Sequence, residues 1–153
     1  QDYIIMNQFM QMALEEAKKA VIASEVPVGA VIVRRDDGQV VALAHNQVEN
    51  LHNPTMHAEM MVINAACQQL KGKNLAEYDL YVTLEPCAMC ACAISHARIG
   101  RLFYGANEPK TGAIESGVRF FTSKNCHHRP EIYPGIMAEE SKELLQDFFK
   151  NLR

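Results

Sequence analysis

Apolar side chains recur at helical spacing between residues 4 and 23. Met6, Phe9, Met10, Ala13, Ala17, Ala20 and Val21 share one side, while Glu15, Glu16, Lys18 and Lys19 fall elsewhere on the wheel. That period predicts an amphipathic helix. In VPVGAVIVRRDDGQVVALAHN the pattern changes to two apolar runs, near 28–34 and 39–45, separated by Asp37-Gly38. A β-hairpin is predicted there. QVENLHNPT is polar and broken by Asn53-Pro54, so it reads as a loop. A second helix is predicted over 57–69, with Met61, Ile63, Ala65 and Ala66 among its apolar positions. DLYVTL, 79–84, is a short apolar run of the kind a buried strand shows. Pro86 suits the first turn of a third helix reaching about Ala97. RLFYG, 101–105, predicts another strand; ANEPKTGAIESG reads as turns and TSKNCHHRPEIYPG as a loop. The last helix, about 137–152, places Leu144, Leu145, Phe148, Phe149 and Leu152 on one face.

The order α-β-β-α-β-α-β-α predicts an α/β fold with a mixed sheet and helices on both faces. No internal repeat, low-complexity tract or linker interrupts the 153 residues, so one domain over 1–153 is expected. Composition supports this: 48% hydrophobic and 22% charged residues suffice for a full core. No apolar run approaches the ~18 residues of a membrane span. The start, QDYIIMNQFMQ, lacks both the layout of a signal peptide and an initiator Met, so a trimmed start is expected. A formal charge of −3 argues against a general nucleic-acid binder, but leaves room for a local basic patch on one RNA element. Five cysteines, an odd number, point to metal or catalytic use in a reducing cytoplasm rather than to a disulfide framework.

Two short stretches carry the chemistry. MHAEM, 56–60, holds His57 and Glu59, and EPCAMC, 85–90, holds Cys87 and Cys90. Cysteines three apart at a helix start turn both sulfurs to the same side, and the positive helix end favours thiolates. His57 opens another predicted helix. Two helix starts meeting at one point would form a Cys₂His zinc site whose fourth position stays open, as in catalytic rather than structural zinc. Glu59, at i+2 from His57, is poorly placed to bind the same ion but can reach across the open position. There a carboxylate can take a proton from activated water and deliver it to a substrate nitrogen. Two alternatives remain. One is a thioredoxin-like redox pair, which would leave His-Ala-Glu idle. The other is a closed structural site recruiting Cys126, His127 or His128. Cys67 and Cys92 read as small core residues, and His45, His52 and His96 as ordinary loop or helix residues.

The spacing matches the H-x-E…P-C-x-x-C signature of zinc nucleobase deaminases, and that match carries the deamination reading. Beyond it, EVPVGAVIV (25–33), HN (45–46), NPTMHAEM (53–60), LYVTLEPCAMCACAISHARI (80–99) and YGANEPKTGA (104–113) occur in an order that resembles the bacterial tRNA adenosine deaminases over nearly the whole chain. The resemblance implies a cytidine-deaminase-like three-layer α-β-α sandwich, one zinc ion per subunit, and a homodimer contacting tRNA from both subunits. The implied reaction converts the wobble adenosine of an arginine tRNA anticodon loop to inosine. His57, Cys87 and Cys90 match the zinc ligands and Glu59 the proton shuttle. Asn46 matches the residue that hydrogen-bonds the flipped nucleotide, and Val28, Ala58 and Leu84 the wall against the purine. The Pro86 carbonyl matches the one that holds the attacked amino group.

Candidate phosphate contacts are Lys71, Lys73, Lys110, Arg119, Lys124, Arg129, Lys150 and Arg153, while Phe149 is either a core residue or a stacking platform. Glu108 departs from the family, which usually has Asp here. We expect it to accept a hydrogen bond from a ribose 2′-OH, with Asn107 or Lys110 offsetting its charge. The competing functions are a free-base or nucleoside deaminase such as guanine deaminase, and a silent RNA- or protein-binding subunit that keeps zinc for stability. An intact Glu59 favours an enzyme.

Overall fold

The computed structural model describes residues 3–152; Arg153, one of the candidate phosphate contacts, lies outside them. Among the described residues the helices are α1 (Tyr3–Ile22), α2 (Ala58–Leu70), α3 (Ala88–Ala97) and α4 (Ala138–Asn151). The strands are β1 (Gly29–Arg34), β2 (Val40–His45), β3 (Tyr78–Leu84), β4 (Arg101–Ala106) and β5 (Glu131–Tyr133). They form one sheet in the order β2-β1-β3-β4-β5. β1 runs antiparallel to β2 and β3, and β4 runs parallel to β3 and β5, so the sheet is mixed as expected.

Alternation along the strands sorts their side chains into two cores. Ala30, Ile32, Leu80, Val82, Leu102 and Tyr104 pack with Val62 of α2 and Ile94 of α3. Val31, Val33, Tyr81 and Phe103 face the other way, onto Met10, Ala13 and Leu14 of α1 and onto Ile136 before α4. The result is three layers, with the central strands apolar on both sides because both sides are covered. α1 approaches the sheet closely: a Cβ on Gly29 would stand 2.0 Å from the Ala13 carbonyl oxygen. The Ser141 hydroxyl donates to the Thr83 carbonyl, fastening α4 beside β3. α4 then carries Phe148 and Phe149 towards the ends of the strands.

Two expectations are corrected. The stretch read as one loop, TSKNCHHRPEIYPG, contains β5, which pairs with β4 from Arg101↔Glu131 to Phe103↔Tyr133. Pro86 is not in the first turn of α3. The helix starts at Ala88 with Cys87 as its N-cap, because Cys87 keeps an extended backbone, φ −77° and ψ 177°. Among the described residues no helix is long and apolar enough to cross a membrane.

Candidate active site

His57 is the N-cap of α2 and Cys87 the N-cap of α3. N-cap side chains usually turn back to accept from their own helix. Neither does so here, and both are free to converge on a common point. The His57 Nδ1 atom lies 3.7 Å from Cys87 Sγ and 3.6 Å from Cys90 Sγ. Tetrahedral bonds of the usual zinc–sulfur and zinc–nitrogen lengths separate N and S by about 3.6 Å, so the three residues fit a zinc ion. They are the metal-binding group found among the described residues. Cys126 lies 3.7 Å from Ser95 Oγ and donates to the His128 carbonyl at 3.0 Å, and His128 Nε2 lies 2.6 Å from the Ile99 carbonyl oxygen. Neither these two nor His127 joins the His57, Cys87 and Cys90 group, which speaks against the closed four-ligand alternative. The redox alternative fails too, since the His-Ala-Glu stretch lies against the cysteines rather than apart from them.

Charge within this cluster is unevenly held. The hydrogen bond from Cys90, followed by that from His57, brings the Cys87 thiol down to about 4. Cys90 is pushed up by the same bond and by burial. His57 is raised by its bond to Cys87. Glu59, the second residue of α2, is only 3% exposed, and burial pushes its carboxyl up to about 7.

These groups open into a cavity of about 610 Å³, within the usual range for small-ligand sites. His57, Glu59 and Cys87 line it together with Val28, Asn46 and Leu84. Asn46 is buried, and its Oδ1 accepts from the Ala58 backbone N–H at 2.7 Å, one of the unpaired amides at the start of α2. That bond fixes the side-chain amide and leaves Nδ2 as the group available to donate to a ligand. Ala58 itself is fully buried and contributes its backbone rather than a lining surface.

Glu108, Thr111 and Phe149 line the cavity as well. Phe149 is 48% exposed, so it is not a core residue. Pro86 does not line the cavity; its carbonyl accepts from the Ala113 N–H at 2.9 Å. Nor does Lys110, whose exposed side chain leaves only its backbone N–H to donate to Glu108 Oε1, at 3.1 Å. Among the described residues the lining includes several carboxylates and neither Lys nor Arg. It therefore suits an uncharged ring inside, with phosphates held at or beyond the rim. Of the candidate phosphate contacts, Arg129 is spent on its own loop, donating to the carbonyls of Phe121 and Ser123. Lys71, Lys73, Arg119, Lys124 and Lys150 are exposed.

Two buried lining carboxylates were not anticipated. Glu25 accepts from the backbone N–H groups of Glu49 at 3.1 Å and Asn50 at 2.8 Å. Glu85 accepts from the 107–116 loop. Burial alone would raise its carboxyl, but the N–H groups of Glu108, Ser116 and Glu115 and the Asn107 amide outweigh burial and hold it at about 2.

This fold and ligand set define a zinc-dependent deaminase domain: residues 5–106 match the cytidine and deoxycytidylate deaminase zinc-binding region. The chain is 54% identical over 144 residues to the tRNA-specific adenosine deaminase of Rickettsia bellii, covering 94% of this chain and 99% of that protein. It superposes with a TM-score of 0.87 on a solved structure from work on A-to-I editing by tRNA:A34 deaminases at the wobble position, at 54% identity over 90% of this chain and 99% of that one. The guanine deaminase of Bacillus subtilis is more distant, at 32% identity and a TM-score of 0.61, covering 76% of this chain and 84% of that one. The chain belongs to the tRNA-specific adenosine deaminases, as its motifs led us to expect.

Proposed function

We propose that the chain acts as a single domain that hydrolyses the wobble adenosine of a tRNA anticodon loop, that of an arginine tRNA, to inosine and ammonia. The observation that carries this is one cavity joining the His57, Cys87 and Cys90 group to Glu59 and the Asn46 amide, in a chain 54% identical over 94% of its length to a tRNA-specific adenosine deaminase.

Zinc bound by His57, Cys87 and Cys90 supplies Lewis-acid activation of water at neutral pH. Glu59, buried beside these ligands, takes the proton released as water adds to C6 and delivers it to N1, then takes the proton of the resulting C6 hydroxyl and delivers it to the departing amine. The water oxygen becomes the C6 carbonyl, and the amine leaves as ammonia. Asn46 Nδ2 donates to the nucleotide, while Val28 and Leu84, backed by Ala58, cover the purine. The Pro86 carbonyl spends one acceptor site on Ala113 and keeps a second for the attacked amine. Phe149 stacks on a neighbouring base, Lys110 contacts phosphate, and Glu108 accepts from a ribose hydroxyl. The anticodon loop is single-stranded, so presenting one splayed base costs little. We further propose a cytoplasmic homodimer in which both subunits contact the tRNA.

The test is to incubate an arginine tRNA transcript with the protein and sequence the anticodon loop. Inosine at the wobble position is the expected product. Conversion of free guanine, with the tRNA left unchanged, would transfer the assignment to the guanine deaminases.

A further inference from the structure

Glu85 lies immediately after β3 and two residues before Cys87, and it is only 2% exposed. None of the ion pairs among the described residues involves it. An ionised carboxylate is costly to bury unless hydrogen bonds replace its water. Six donors do so, in two sets. Oε1 accepts from Glu108 N at 2.9 Å, Asn107 Nδ2 at 3.2 Å and Ser116 Oγ at 2.9 Å. Oε2 accepts from the backbone N–H groups of Ile114 at 3.0 Å, Glu115 at 2.8 Å and Ser116 at 2.9 Å. Asn107 and Glu108 stand at one end of a loop and residues 114–116 at the other, so a single side chain ties both ends to the segment that carries the metal turn. A Cβ on Gly112 would meet the carboxylate at 2.6 Å, so the loop closes around the charge only with glycine there. Between the two ends lie Glu108 and Thr111, which line the cavity.

We propose that Glu85 is a positioning residue for substrate binding. It holds the 107–116 loop so that Glu108 faces the nucleotide, and it acts through Glu108 rather than on the reacting atoms. The inference rests on the cavity being the nucleotide site. Only a carboxylate offers two acceptor oxygens with several lone pairs each. Glutamine at this position keeps the shape but has one oxygen. The three fixed backbone donors of 114–116 claim that oxygen, while the Ser116 hydroxyl can rotate to accept from the new NH₂ group and Asn107 keeps Tyr104 and Glu115 as acceptors. The Glu108 N–H cannot rotate and is left without a partner.

Glu85→Gln is therefore the probe, read by zinc content, residue-resolved amide exchange and kinetics on an anticodon stem-loop. Zinc should remain bound. Exchange at Glu108 should accelerate while residues 114–116 stay protected. KM should rise about tenfold, as for one unsatisfied buried donor, with kcat within about threefold of wild type. In a Glu108→Ala background the same substitution should add less than about twofold, because the two act as one unit. A kcat that falls together with zinc content would assign Glu85 to the metal turn and overturn the proposal. So would costs that multiply in the double variant, or unchanged exchange at Glu108. If Glu85→Gln fails to fold, Glu85→Asp keeps the charge on an arm too short to reach both ends of the loop, and an unchanged KM there would refute the role. If the stem-loop proves not to be a substrate, the functional reading fails, while amide exchange still decides whether Glu85 sets the loop.

Discussion

His57, Glu59 and Cys87 enter the cavity from the starts of two helices, with Cys90 buried behind them, whereas Glu108 and Thr111 enter it from a loop. On the first side each pair of functional groups lies within one helical turn, and its geometry follows from local backbone conformation. On the second side the backbone is shaped by carboxylates far off in sequence. Glu85 holds Glu108 across 23 residues and Ser116 across 31. Opposite that loop, Glu25 holds Asn50 across 25. The reaction chemistry is thus encoded locally, and the substrate-facing loops through long-range hydrogen bonds. Changes on the first side should stop turnover, and changes on the second should alter which substrate is taken.

The largest effect should come from removing the metal. A Cys87→Ala, Cys90→Ala double variant should lose both zinc and turnover, and metal analysis that still found full zinc would place the ion elsewhere. Next, Glu59→Gln should lower kcat by about 10²–10⁴-fold, the range for a general acid–base group. Its zinc content should be unchanged, and near-wild-type kcat would move the proton shuttle to another residue. On the loop side, Glu108→Gln should change preference more than rate. The ratio of kcat/KM for a deoxyadenosine-substituted stem-loop to that for the all-RNA loop should rise several-fold, since a ribose hydroxyl no longer has a charged acceptor to reward it. An unchanged ratio would leave Glu108 in solvent.

The smallest effect is on acid stability. The Glu85 carboxyl, at about 2, lies below its ordinary value near 4.5, so its ionised form binds fewer protons in the folded chain than in the unfolded one. The stability it contributes is complete above about pH 4.5 and is lost as pH falls towards 2. In urea unfolding, the advantage of wild type over Glu85→Gln should therefore shrink across that window. Loss of zinc at low pH affects both proteins and cancels in the difference. A gap that stays constant would mean that Glu85 is not held as the anion.

Much of the fold was legible because its elements are periodic. The helix expected over 57–69 is Ala58–Leu70, and the strand expected over 101–105 is Arg101–Ala106. β5 was missed because three residues with Glu131 and Tyr133 exposed carry no pattern, and its identity comes from pairing with β4. The convergence of His57, Cys87 and Cys90 was legible from the H-x-E…P-C-x-x-C signature rather than from spacing alone. The position of Cys87 as an N-cap also explains the displacement of Pro86, since its extended backbone precedes the first turn that Pro86 was expected to occupy. The two carboxylate clamps were not legible, because their donors lie more than twenty residues away. The one signal was an unpaired acid set directly after an apolar run in TLEPC. Lys110 is exposed and outside the cavity lining, and its backbone N–H serves Glu108.

The division between local chemistry and loop-built substrate choice is tested most directly by kcat/KM for an all-RNA arginine anticodon stem-loop against the same loop with deoxyadenosine at the wobble position, measured for wild type and Glu85→Gln. The account predicts a preference for the all-RNA loop in wild type, and a reduced preference in Glu85→Gln caused by a higher KM on the RNA loop with kcat nearly unchanged. Equal efficiency on the two loops in wild type, or a preference that survives Glu85→Gln intact, would contradict it.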